Sequence, residues 1–339
     1  MADAAPSATA SPATGLAPAP VDLRPLTTSE LIDRGFTLYR AHFAGFLLLA
    51  LLCQSAPLLG QLLITALGFN PTKEQLVADP TKFLEQAGVL IAITFVAQLI
   101  VFAFEVVIVF YIADAYLGRV PSVQESLRKF TTRMAGSLWT CLLNWILIAL
   151  SMIFPIVACA AIWLYAQAYP PIELLPLIGF CAGALLLLVA SVAPVLIVFM
   201  RLMVTVPALA IEGLSGWKSV RRSSTLVRFD PGLGILYWGE MRLSFLLLPL
   251  FIIELLIFML TSLPLTLHQI SEVMRHGSTG QITPPPDSVL VISQILTFLA
   301  GSLILPLYSI ATTLFYYDIR IRREGFDLEF MNEQLAEPK

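Results

Sequence analysis

Apolar residues fall into six long runs along the chain, and the polar stretches between them are of two kinds. One kind is poor in Lys and Arg and rich in turn residues; the other is basic and itself periodic. Ile32, Phe36, Tyr39 and Phe43 recur at i, i+4, i+7, i+11, the spacing of one face of an amphipathic helix. Thr27 followed by Glu30 places a capping-box signature at its start. Phe43 to Leu67 then gives a first span of about 25 residues, enough for a hydrocarbon core of roughly 30 Å. Asn70 to Gln86 mixes both charges with two prolines and reads as a short loop, with room for one helical turn or two. A second span extends from Gly88 to Tyr116.

The first pattern then repeats. Ser122 with Glu125 offers another capping box, and Val123, Leu127, Phe130 and Met134 again fall at i, i+4, i+7, i+11, with Gly45 aligning to Gly136. Span three runs from Ser137 to about Tyr165 with a kink point at Pro155. Span four runs from Leu177 to Met200, and its apolar character continues past Arg201 to Ile211, too long for one upright crossing. The basic stretch that follows places Lys218, Arg221, Arg222 and Thr225 at i, i+3, i+4, i+7, with Trp217, Val220 and Val227 on much of the opposite side. That pattern predicts a helix lying on a membrane surface.

Span five covers Gly232 to about Leu263, interrupted by Glu240, Arg242 and Glu254. The long segment after it, with its PPP and GSTG pieces, reads as an open loop. Span six covers Val289 to Tyr317 and leads into a basic, then acidic, tail. The expected architecture is all-α: six transmembrane helices as three hairpins in pseudo-threefold arrangement, each hairpin preceded by a cytoplasmic amphipathic helix. Each hairpin returns at an acid, namely Asp114, Glu212 and Asp318. Residues 1–26 form an Ala/Pro-rich tail of disordered composition without a signal-peptide pattern. Residues 27–325 form the membrane domain, and 326–339 an interfacial tail with Leu328, Met331 and Leu335 at helical spacing.

Composition agrees with this reading: 58% of residues are hydrophobic and only 13% charged, against about 25% charged in soluble domains. Sidedness comes from Lys and Arg rather than from the net charge of -3. Arg24, Arg34, Arg40, Arg119, Arg128, Lys129, Arg133, Lys218, Arg221, Arg222, Arg228, Arg320, Arg322, Arg323 and Lys339 fall on one side, whereas Lys73, Lys82 and Arg275 fall on the other. Both termini are therefore expected in the cytoplasm and the protein in the bacterial cytoplasmic membrane. Cys53, Cys141, Cys159 and Cys181 lie inside apolar runs without CxxC spacing, and His42, His268 and His276 are scattered. No metal, cofactor, catalytic or nucleic-acid site is expected.

Two groups of residues remain as candidates. Glu105, Arg201, Glu240 and Arg242 are charges inside apolar spans, costly and so either functional candidates or ion pairs that fix which spans pack together. Their distances from the span ends agree within roughly 5 Å, which predicts one polar layer. Lys218, Arg221, Arg222 and Arg228 form the candidate contact for anionic lipid or a protein partner. The function expected is non-catalytic, the organisation of lipid or a partner at the cytoplasmic face. A transporter or channel for ions or amphiphiles using the polar layer is the alternative.

RLMVTVPALAIEG followed by GWKSVRRSSTLVR, with LIDRGFTLYRAHFAGFLLLALL and YYDIRIRREGFDLE, resembles the six-span membrane domain attached to some glycerophosphoryl diester phosphodiesterases and its free-standing bacterial counterparts. In that family the phosphodiesterase chemistry sits in a separate soluble barrel whose His-Arg and Pro-Glu-Asn-Thr type motifs are absent here. The resemblance therefore implies an architecture and no catalytic residue.

Overall fold

A computed structural model describes residues 24–68, 79–168, 174–228, 239–276, 285–326 and 328. The helices are α1 (Thr28–Ala41), α2 (Phe43–Ala66), α3 (Pro80–Tyr116), α4 (Val123–Ser151), α5 (Ile153–Ala168), α6 (Leu174–Leu202), α7 (Thr205–Glu212), α8 (Trp217–Val227), α9 (Gly239–Thr261), α10 (Leu263–His276) and α11 (Asp287–Glu324). Among the described residues six stretches are long and apolar enough to cross a membrane: Phe43–Ala66, Thr81–Tyr116, Val123–Ala168, Ile178–Glu212, Gly239–Thr261 and Asp287–Glu324. The protein is an all-α polytopic membrane protein. Its spans pair as hairpins α2/α3, α4–α5/α6 and α9/α11, and each hairpin packs against the other two.

The core lies toward the end where the Lys and Arg residues gather, the basic end. Two helices are buried all round there, α3 over Val106–Ile112 and α11 over Ser309–Ile319. A helix apolar on every side and enclosed by others is a central element, and α1, α2, α3, α7, α8 and α9 all contact α11. Away from the basic end the spans expose Leu, Ile and Phe freely, as surfaces that face acyl chains do.

α1 starts as its sequence predicts. Thr27 Oγ1 accepts from the Glu30 N–H at 3.3 Å and Glu30 Oε2 accepts from the Thr27 N–H at 2.7 Å. The bond from the Thr27 backbone foremost, and then one from Arg24 to Glu30 Oε1 at 2.6 Å, hold the Glu30 carboxyl down at about 2. The buried stripe of α1 is rotated from the expected one, however. Leu31 and Gly35 face the core, with Gly35 against Ile310, whereas Phe36 and Phe43 are exposed. The glycine lets α1 approach α11 more closely than the aromatic face would.

The second capping box does not form. Ser122 makes no side-chain cap, and Glu125 instead lies 3.4 Å from Lys129, the cation that also reaches Asp114. Charge attraction outcompetes the cap, and α4 runs unbroken from surface segment into span three. The aligned glycines nonetheless share a role, since a Cβ at Gly45 would overlap Tyr111 and one at Gly136 would crowd Ser215.

Span three breaks between Ser151 and Ile153, where Pro155 has no N–H to return to the Ser151 carbonyl. The over-long fourth span is not one continuous helix. It breaks after Leu202, and α7 turns back into the protein with Val204, Ala208 and Leu209 buried. Pro207, which cannot donate to the Met203 carbonyl, accounts for the break. α3 begins with Asp79 accepting from the Lys82 N–H at 3.2 Å and with Pro80 at the first helical position, so that the end of the Asn70–Gln86 segment forms helical turns continuous with span two. Leu263–His276, expected as loop, is helix α10 packed on α11. The rest of that loop, most of the first 26 residues, and all of the C-terminal tail except Phe326 and Leu328 lie outside the described residues.

Between α7 and α8, Gly216 has φ 58° and ψ -132°, a backbone region open essentially to glycine alone. Its N–H donates to Thr140 Oγ1 at 2.7 Å, and a Cβ would overlap Trp139. Gly216→Ala should destabilise the protein by about 1–3 kcal/mol and lower its thermal midpoint in detergent. Gly183→Ala, where a Cβ meets open space, should leave the midpoint unchanged. Equal midpoints for the two variants would contradict this account.

Candidate functional site

The basic end is built around the three acids at which the hairpins return. Asp114 ends α3, and its Oδ2 accepts from Lys129 Nζ on α4 at 2.6 Å, with Arg119 at 4.0 Å. Glu212 ends α7 and meets Arg222 Nε on α8 at 2.9 Å. The Tyr316 hydroxyl also donates to Glu212, and Arg320 stands 3.7 Å away. Asp318 on α11 is paired with Arg242 at 2.8 Å and Arg322 at 3.0 Å, and it accepts from the Leu26 N–H at 2.7 Å.

A common rule connects these contacts. Each acid bonds to the surface segment that leads the following hairpin, and the third closes the circuit by bonding to the residue that leads into α1. Leu26 is held at both ends of its backbone, because its carbonyl accepts from Arg322 at 2.6 Å and from Arg242 at 3.2 Å. Its side chain is buried among the core residues. The N-terminal tail predicted over 1–26 therefore ends in a structural anchor.

The predicted polar layer divides. Arg201 Nε and Glu240 Oε1 meet at 2.9 Å, joining α6 to α9. Arg242 turns away to Asp318, since it lies about 200° around the helix from Glu240. Glu105 joins neither pair. It is packed on α3 within electrostatic reach of Cys53 on α2 and Cys141 on α4, and among the described residues it makes no ion pair or side-chain hydrogen bond. Matching depth placed the four residues at one level; the rotation of α3, which depth does not specify, keeps Glu105 from the others.

The basic segment also departs from the membrane-surface reading. The apolar face of α8 is buried in protein: Val220, Leu226 and Val227 pack inward. Ser219 and Ser223 donate to the carbonyls of Thr205 and Arg201 at 2.9 and 2.5 Å. The break after Leu202 leaves helix-end carbonyls without partners, and α8 serines supply donors to two carbonyls beside it. Arg222 is fully occupied between Glu212 and Glu324, and these carboxylates, Glu324 first, hold its guanidinium charged beyond its ordinary range. Lys218, Arg221 and Arg228 are exposed, and no ion pair engages them among the described residues. Arg323 caps the end of α8 by donating to the carbonyls of Thr225 and Arg228 at 3.0 and 2.9 Å.

Sequence reasoning marked Asp114, Glu212 and Asp318 only as exit points, and it missed Glu324 and the roles of Arg320 and Arg322. The signal was present in their recurrence just before each basic stretch. Among the described residues no group of three or more His, Cys, Asp and Glu is arranged to hold a metal ion.

Removing the charge of Asp318 strands two arginines, one of them on a side chain only 12% exposed. Asp318→Asn should therefore destabilise the protein by about 3–5 kcal/mol, read as a lowered thermal midpoint in nanodiscs. Glu105→Gln, which breaks no ion pair, should leave that midpoint nearly unchanged. The reverse ranking would refute the assignment of the return acids as the structural centre.

No protein-family model matches this sequence, and no curated protein or solved structure matches it either.

Proposed function

We propose that the chain is a non-catalytic integral protein of the bacterial cytoplasmic membrane, with both termini cytoplasmic, that organises anionic lipid at its basic end. The observation that carries this reading is a division of labour among the cations. Arg222, Arg242, Arg320 and Arg322 neutralise internal acids, whereas Lys218, Arg221 and Arg228 point outward beside Trp217, which is 59% exposed. Cations near an anionic surface contribute about 1 kcal/mol each, and an exposed indole next to them suits the headgroup level. The buried apolar face of α8 makes this a rigid contact, in which the protein presents charge to the lipid without inserting a helix face.

One observation favours the transporter reading instead, the Glu105 carboxylate inside span two, which makes no ion pair among the described residues. Ion flux in proteoliposomes that disappears in Glu105→Gln would support transport over lipid organisation.

Replacing Lys218, Arg221 and Arg228 together by Gln, with Arg222 kept, should leave the fold intact. It should reduce the phosphatidylglycerol that stays bound through purification, as counted by native mass spectrometry, by severalfold. The wild type should also lose this lipid as salt is raised. Unchanged retention in the triple variant would overturn the proposal.

A further inference from the structure

Far from the basic end, α9 and α11 part to leave a cavity of about 140 Å³ against α2. Its polar lining includes Gln54, Glu254, Thr261, Thr297 and Tyr308, and its apolar wall includes Phe258 and Ile304. Glu254 lies twelve residues beyond Arg242 on α9, and Tyr308 ten residues before Asp318 on α11. At 1.5 Å per residue the cavity is therefore roughly 15–18 Å from the ion-paired layer, well inside a hydrocarbon core of about 30 Å.

A carboxylate at that depth is expensive unless something satisfies it. Tyr308 Oη donates to Glu254 Oε2 at 2.8 Å, and among the described residues Oε1 has no partner. Gln54 likewise makes no side-chain hydrogen bond there, its amide resting over Gly301, where a Cβ would come within 3.0 Å of Nε2. Glu254, Phe258 and Thr297 are exposed, so the cavity opens sideways to the lipid. The volume is about ten times the least that admits one water, too large for a bare ion held by these groups and wide enough for a headgroup with its first methylenes.

We infer that this cavity binds a cationic amphiphile, its ammonium group on Glu254 and Gln54 and its chain along Phe258 and Ile304 toward the acyl region. The chemistry selects this class. The carboxylate calls for a cation; Gln54 and Thr297 offer oxygens that accept from an ammonium N–H, and the lateral mouth admits a molecule already dissolved in the bilayer. An anionic headgroup would be repelled by Glu254, and a neutral alcohol would leave its charge unmatched. The site is separate from Lys218, Arg221 and Arg228 in position and in charge, so it stands or falls independently of the lipid-organising proposal.

Dodecylamine is a suitable probe, titrated calorimetrically into the full-length protein in phosphatidylcholine nanodiscs, with empty nanodiscs as the partitioning reference and dodecanol as the uncharged match. The wild type should bind one saturable equivalent of dodecylamine and none of dodecanol. Glu254→Gln, which still accepts from Tyr308, and Thr297→Leu, which narrows the mouth, should each weaken binding at least tenfold while keeping the ligand-free thermal midpoint. Should one variant fail to fold, the other carries the comparison. Uptake by the wild type no different from empty nanodiscs, equal binding by Glu254→Gln and wild type, or saturable binding of dodecanol would each overturn the inference.

Discussion

The fold depends on buried and half-buried carboxylates that each belong to one hairpin and bond to the next. Asp114, Glu212 and Asp318 end three successive returns, and each finds its donor in the segment that follows: Lys129, Arg222, and, round the circuit, the backbone of Leu26. A charge removed from water is tolerable only when paired and hydrogen-bonded, so none of these acids accepts misplacement of its neighbour without a large penalty. Hydrophobic attraction alone would not impose such order, because lipid chains are as apolar as the side chains on the spans.

This constraint explains where burial concentrates. The core sits beside the ion pairs, with Tyr316 and Tyr317 enclosed on α11 and Tyr116 stacked on Tyr317 at 5.0 Å between ring centroids. Outward from that layer the hairpins loosen. α5 buries only Ala158, and the α9–α11 seam opens into the cavity lined by Glu254. The basic end thus serves as a rigid base, and the other half of the spans presents its surface to lipid. Outward-facing cations on α8 and the lateral cavity lie at opposite ends of this gradient, which suits one to a headgroup surface and the other to a molecule within the bilayer.

Much of this was legible in the sequence, for reasons that differ by element. The spans were readable because bilayer thickness fixes the length of an apolar run, and the Thr27–Glu30 cap because its bonds are local. Rotation was not readable. Phe36 and Phe43 look like a core stripe in a soluble helix, but in lipid an exposed aromatic is at no disadvantage, and Gly35 decides the approach of α1 instead. α8 misled for a related reason: its amphipathic pattern is the same whether the apolar face meets lipid or the broken end of α6. The break itself was written in Pro207, overlooked because the apolar run continues through it. Depth put Arg201 level with Glu105 and Glu240 without choosing between the two acids, and the partner of Arg242 required knowing that α11 returns beside α9.

The closure of the circuit on Leu26 is the central claim, and residue-resolved amide hydrogen exchange on the full-length protein in nanodiscs tests it most directly. The Leu26 N–H, donated to a carboxylate whose side chain is 1% exposed, should exchange orders of magnitude more slowly than an unstructured peptide of the same sequence, and Asp318→Ala, which removes the acceptor, should abolish most of that protection. A Leu26 amide that exchanges at the unstructured-peptide rate in the wild type would contradict the closed arrangement.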